Sequence, residues 1–218
     1  SGDDVIFDGA GDSFISGGAG DDIIRTGTGH DVIAFNRGDG WDTVYAGGDG
    51  GNTLSLGGGI RYADLFFSKS GDDLLMHTGE EEGMLFKDWY AGNKSVLNLQ
   101  LMLDASQDFD SMSSDTLYSR RVQTFNFLGL VGAFDQTRAA SPGVTSWDVT
   151  NALLQWHLRG SDDAALGGDL AYWYGSRRGL AGFSLQAAQE AIGMPGFGSD
   201  AHSLRPFSGL QEGLVKLS

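Results

Sequence analysis

The sequence predicts a β + α chain. A roll of short parallel strands, extended by further strands, fills residues 1–104, and a small helical C-terminal domain or cap fills residues 105–218. Three observations predict it. Glycine and aspartate recur with a nine-residue period in the first 55 residues. Acidity is concentrated in the first half, where residues 1–104 carry 18 acidic and 6 basic side chains, against 11 and 8 in residues 105–218. From about residue 113 the glycines thin out and apolar residues take up helical spacing.

The repeats come first, because a fixed internal period decides the architecture. Aligned on G-G-x-G-x-D-x-U-x, with U large and apolar, the chain gives six successive units. A partial unit, Gly2 to Phe7, leads into Asp8 to Ser16, and a perfect copy follows at Gly17 to Arg25. Thr26 to Ala34 has one lapse; after a two-residue insertion the pattern resumes at Gly38 to Tyr45 and ends at Gly47 to Ser55. In each unit the glycine half is a turn, since glycine adopts positive φ and lets backbones approach closely. The other half is a very short strand whose apolar residue (Ile6, Ile15, Ile24, Ile33, Val44 or Leu54) points inward. Two units make one coil, so alternate turns stack on the same side.

Such a core is thin. One apolar side chain per nine residues contributes roughly 1.5–3 kcal/mol, against about 1–2 kcal/mol to order each residue's backbone. Stacked aspartates repel unless a cation lies between them. Clustered carboxylates and turn carbonyls are hard oxygen ligands of the kind Ca²⁺ prefers. Zinc is disfavoured without a His/Cys cluster, and the absence of cysteine excludes disulfides. Glycine takes 35 of 218 positions but proline only 3, which is not a collagen pattern. The net charge of −15 opposes binding to nucleic acid or anionic membrane. No apolar run approaches the roughly 18 residues of a membrane span.

In these tandem units the chain resembles the RTX (haemolysin-type calcium-binding) repeat family. The resemblance continues through Leu56 to Phe67 and Ser70 to Leu75, which look like the degenerate segment after the repeats, and through a strand at Phe86 to Tyr90. It implies a calcium-bound parallel β-roll in which two stacked turns share each ion through aspartate side chains and turn carbonyls. Carried over residue by residue, one side of the roll uses Asp4, Asp22 and Asp42, and the other Ser13, Asp31 and Asn52. The backbone contributors are Gly9, Gly11, Gly17, Gly18, Ala19, Gly20, Gly27, Gly29, Gly38, Gly40, Gly48 and Gly50, with Asp73 in the degenerate segment as a further ligand. Ser13 and Asn52 replace two carboxylates on the second side, which is therefore expected to bind calcium more weakly.

The second half reads as helices over Ser119–Ala140, Thr145–Leu158, Asp162–Tyr174, Leu180–Ile192 and Phe207–Leu217. Thr145 to Asp148 looks like the start of a capping box. His157 is expected at a helix C-terminus and Asp162, Asp163 and Asp169 at a helix start, where their charges suit the helix dipole better than catalysis. No H-E-x-x-H or G-x-S-x-G motif is present, so the chain is expected not to be an enzyme. It begins at Ser1, in mid-repeat, and is expected to be part of a longer protein. Type I-secreted members of the family carry an uncleaved C-terminal address, and Leu204 to Ser218 is apolar, hydroxyl-rich and poor in charge. The expectation is a secreted or cell-surface module, folded by calcium and handled by the type I secretion apparatus, at the end of an adhesin or toxin. The rivals are an enzyme sited in the helical half and a calcium-stiffened adhesive domain with a host or cell-surface ligand.

Overall fold

A computed structural model describes residues 1–48, 51–212 and 215–217. Its first six strands are short and alternate between two sheets. They are β1 (Val5–Phe7), β2 (Phe14–Ile15), β3 (Ile23–Arg25), β4 (Val32–Asn36), β5 (Trp41–Tyr45) and β6 (Asn52–Gly57). β1, β3 and β5 pair in parallel, with Ile6 opposite Ile24 and Ile24 opposite Val44. β2, β4 and β6 do the same, with Ile15 opposite Ile33 and Ile33 opposite Leu54. The first step on each side is eighteen residues, two repeat units. Later steps lengthen because Phe35, Asn36 and Ala46 are extra to the period. Glycine is required where turns stack: Gly20 has φ +142°, and a Cβ there would lie 2.5 Å from the carbonyl oxygen of Gly2.

Four further strands extend both sheets: β7 (Phe66–Ser70), β8 (Asp73–His77), β9 (Gly83–Phe86) and β10 (Val96–Met102). β9 continues the first sheet in parallel with β5, and β10 continues the second in parallel with β6. The rest of the chain supplies β11 (Val122–Asn126), α1 (Phe127–Ala140), β12 (Ser146–Asp148), α2 (Leu153–Trp156), β13 (His157–Ser161), β14 (Ala164–Leu166), α3 (Gly168–Arg177), α4 (Leu185–Ile192), β15 (Ala201–Ser203) and α5 (Phe207–Leu210). One sheet runs β1-β3-β5-β9-β8-β7-β12 and the other β13-β11-β10-β6-β4-β2, so both cross residue 104. β14 and β15 form a separate pair.

Alternation along each strand feeds two cores. Ile33 and Phe35 join Ile24, Val44, Leu54, Phe67, Phe86, Trp89, Phe127 and Phe134 in the larger cluster. Val32 joins Met102 and Val122 in a second one, packed with Leu170, Ala171 and Trp173 of α3, Ala187, Ala188 and Ala191 of α4, and Phe183 and Phe197. Five of the six predicted inward residues are buried, and Ile6, on the edge strand β1, is partly buried against the larger cluster.

Several elements differ from the helices predicted. Residues 122–126 form a strand because they pair along the length of β10, from Asn98 with Asn126 to Met102 with Val122; the helix starts only at Phe127, capped by Asn126. Where a capping box was expected over Thr145 to Asp148, residues 146–148 form β12 and Asp148 is itself the cap, accepting a hydrogen bond from the Thr150 N–H, of a single turn between β12 and α2. His157 opens β13, and Asp162 and Asp163 precede β14 rather than a helix. Asp169 does lie in the first turn of α3. The expected terminal helix is limited to Phe207–Leu210, with Gly213, Leu214 and Ser218 outside the described residues. The strand expected through Tyr90 stops at Phe86: Asp88 takes a left-handed φ of 55°, and a short 3₁₀ helix inserts Trp89 into the core.

Candidate calcium sites

The turns between the alternating strands fall on two sides, and each side carries a ladder of side chain to backbone bonds. On the first, Asp22 Oδ1 accepts from the Asp4 N–H at 2.7 Å, and Asp42 Oδ1 accepts from the Asp22 N–H at 3.1 Å. On the second, Asp31 Oδ1 accepts from the Ser13 N–H at 3.1 Å, and Asn52 Oδ1 accepts from the Asp31 N–H at 3.0 Å. The six residues predicted from the sixth repeat position are thus brought together, three to a side. A parallel ladder one position earlier was missed by the motif, which leaves that position free. There Asp3 accepts from the Asp21 N–H, Asp21 from the Trp41 N–H and Asp12 from the His30 N–H. The doublets Asp3-Asp4 and Asp21-Asp22 were its visible signal.

The sixth-position ladder uses only one oxygen of each carboxylate. Asp22, Asp31 and Asp42 are all at most 1 % exposed. Among the described residues, Asp22 Oδ2, Asp31 Oδ2 and, in the turn stacked on that of Asp31, Asp8 Oδ2 are buried with no hydrogen-bond partner. A buried ionised oxygen without a partner costs several kcal/mol. Burial raises the carboxyl of Asp42 to about 8. Burial, then repulsion from Asp8, raises that of Asp31 to about 6. Burial also raises Asp39. The turn leaves room for this chemistry: a Cβ on Gly17 would lie 1.9 Å from Asp22 Oδ2. Among the described residues no three His, Asp or Glu side chains converge on one point. A cation here must complete its shell with backbone carbonyls, which suits Ca²⁺ and its six to eight oxygens but not zinc.

Gly9, Gly11, Gly18, Gly20, Gly27, Gly29, Gly38, Gly40 and Gly48 lie in these turns, and Gly50 lies outside the described residues. Ala19 and Gly9 each already accept one backbone bond, from the Gly2 and Thr28 N–H groups, leaving one lone pair apiece. Asp73 is not brought to the turns. It opens β8, where Oδ2 accepts from Lys87 Nζ and Oδ1 from the Asp88 N–H, so its charge is already matched; the structure gives it a hairpin role instead of a place among the ligands.

The second half contributes to these turns from outside. The Tyr174 hydroxyl bonds Ser16 Oγ and, at 3.2 Å, Asp39 Oδ2, touching two successive turns on the first side. The Thr53 hydroxyl donates to the Gly198 carbonyl near the second side. His157 Nε2 pairs with Gln123 Oε1 at 2.7 Å, and burial lowers its pKa.

A comparison with protein families matches residues 1–33 to the RTX calcium-binding nonapeptide repeat in four copies. No curated protein matches the chain. The match covers the first turns of both ladders, where the unpartnered carboxylate oxygens of Asp8, Asp22 and Asp31 are found. Residues 1–33 thus carry RTX calcium-binding nonapeptide repeats, and calcium is the ion that such repeats bind.

Proposed function

We propose that residues 1–57 form a calcium-bound parallel β-roll, and that the chain is a calcium-triggered folding and export module of a larger type I-secreted adhesin or toxin. The observation that carries it is the pair of stacked turn ladders in which buried Asp22 Oδ2 and Asp31 Oδ2 have no partner among the described residues. Bound Ca²⁺ supplies the counter-charge and oxygen shell that let these carboxylates pack. In its absence Asp4, Asp22, Asp31 and Asp42 oppose stacking, and the thin repeat core cannot hold the turns closed. Modules of this type bind calcium at about 10⁻⁴–10⁻³ M. The repeats therefore stay threadable at cytosolic calcium and close outside the cell, which disfavours retreat through an export channel. Each site at ten times its dissociation constant adds about 1.4 kcal/mol, so several together decide the equilibrium.

The reading is non-enzymatic and extracellular. In support, the three histidines in strands are bonded to neutral partners, His77 to Ser68, His157 to Gln123 and His202 to the Gly196 carbonyl. The cleft of about 410 Å³ beside α4 is polar, and its Arg205 is matched by Asp169 and Glu190. No described helix is long and apolar enough to cross a membrane. The test is far-UV circular dichroism of the full chain between chelator and excess calcium. A cooperative gain of β signal at sub-millimolar to millimolar calcium is expected, with magnesium substituting poorly because its shell is smaller and holds its water. An unchanged spectrum would sink the reading.

A further inference from the structure

We propose that Asp8 is itself a calcium ligand: in the 8–13 turn the carboxylate comes from the first repeat position instead of the sixth. The inference rests on the calcium-binding reading of the repeats and adds a site residue that the repeat motif excludes, since the motif calls for glycine there.

The two positions lie close together. In the perfect copy, Gly17 stands first and Asp22 sixth, and a Cβ on Gly17 would be 1.9 Å from Asp22 Oδ2. A side chain grown from the first position therefore enters the space that the sixth-position carboxylate occupies. In the 8–13 turn the residue types are exchanged, with Asp8 first and Ser13 sixth. Ser13 then holds two carboxylates at once: its N–H donates to Asp31 Oδ1 at 3.1 Å, and its Oγ donates to Asp8 Oδ1 at 2.8 Å. The remaining oxygens, Asp8 Oδ2 and Asp31 Oδ2, are both buried and have no hydrogen-bond partner among the described residues. Asp31 is fully buried, so its free oxygen is not satisfied by solvent. Asp8 Oδ2 also reaches the next turn of the stack, 3.1 Å from where a Cβ on Gly27 would stand.

A purely local role, with Asp8 anchoring the Ser13 hydroxyl, accounts for Oδ1 but leaves Oδ2 buried for no return. A cation between the 8–13 and 26–31 turns satisfies both free oxygens together. The second side then offers two carboxylates to an ion, Asp8 and Asp31, and the weakening expected from Ser13 does not follow.

The test measures calcium stoichiometry and affinity of the full chain by isothermal titration calorimetry. Asp8→Asn keeps an acceptor for Ser13 and removes the charge. It is expected to weaken one site on the order of tenfold, as the loss of one charged ligand does, or to remove one ion from the count. The double variant Asp8→Gly with Ser13→Asp restores the motif and is expected to recover wild-type binding, even if Asp8→Asn alone fails to fold. Unchanged binding in Asp8→Asn, or no recovery in the double variant, overturns the proposal. A wild-type chain that binds no calcium would instead bring down the functional reading beneath it.

Discussion

Asp42 and Asp31 hold their protons unusually tightly when calcium is absent, because both are buried among other acids. A carboxyl whose folded pKa is raised binds more protons folded than unfolded, so the calcium-free fold loses stability as pH rises. The window is set by the shifts: from the ordinary 3.8 up to about 6 for Asp31 and up to about 8 for Asp42. Calcium competes with those protons. At pH 6–7 its binding is expected to release protons, and its apparent affinity to rise with pH across that range. Titration calorimetry in two buffers of different ionisation enthalpy measures the release; identical heats would exclude it. At this scale the sixth-position residues were legible because the motif names them. Asp8, Asp12 and Asp21 were not, since the motif reads one of their positions as glycine and the other as free, and only the stacking of the turns decides whose oxygen meets whose N–H. Asp73 was over-read: Lys87, fourteen residues on, neutralises it across a hairpin that spacing alone did not reveal.

Helix α3 acts as a strap across the turns of the first side. The Asn36 side-chain amide donates to the Tyr174 carbonyl at 3.2 Å, and the Gly58 N–H donates to the Gly175 carbonyl at 2.8 Å. The approach is close enough that a Cβ on Gly57 would lie 2.2 Å from the Gly175 Cα. Tyr174 completes the strap through Ser16 and Asp39, which belong to the turns carrying Asp22 and Asp42. Tyr174→Phe removes only the hydroxyl, and a net hydrogen bond is worth about 1 kcal/mol. The variant is expected to raise the calcium midpoint of folding several-fold while reaching the same spectrum at saturation. A midpoint equal to wild type would show that α3 rests on the turns without steadying them. The existence of a helix here was legible from apolar spacing, and so was that of α4, although it was expected from Leu180 and starts only after its Ser184 cap. Residues 122–126 were not, because Val122 and Phe125, three apart, read as one helical face; in the strand that pairs with β10 they fall on opposite faces, Phe125 in the larger cluster and Val122 in the second.

The two halves differ in composition but share one fold. The period, the charge skew and the change near residue 113 were visible in the sequence, whereas the closing of both sheets by later strands was not, because antiparallel partners carry no repeat. β11 pairs along β10, β12 pairs with β7, and Phe125, Phe127, Leu130, Phe134, Trp147 and Leu153 fill the same cluster as the repeat strands. Truncation after Asp104 therefore removes much of that core along with its cover. Deleting one large buried side chain costs about 2–5 kcal/mol, and a domain's whole stability is about 5–15 kcal/mol. Residues 1–104 alone are expected to need far more calcium to gain β structure than the full chain, or not to gain it at all. Removing only residues 204–218 is a milder cut, but not a silent one. It takes away Leu210 from the second cluster and leaves Asp169, 2 % exposed, without Arg205. Among the described residues the larger cluster contains none beyond Trp156, so the shortened chain is expected to keep its calcium-dependent β signal at a modestly higher midpoint, with the helices over the second sheet loosened. Circular dichroism across a calcium series, with hydrogen exchange on α3 and α4, separates the two cuts. If residues 1–104 fold at the calcium concentration of the full chain, the repeats are an independent domain and the later strands and helices are mere attachments.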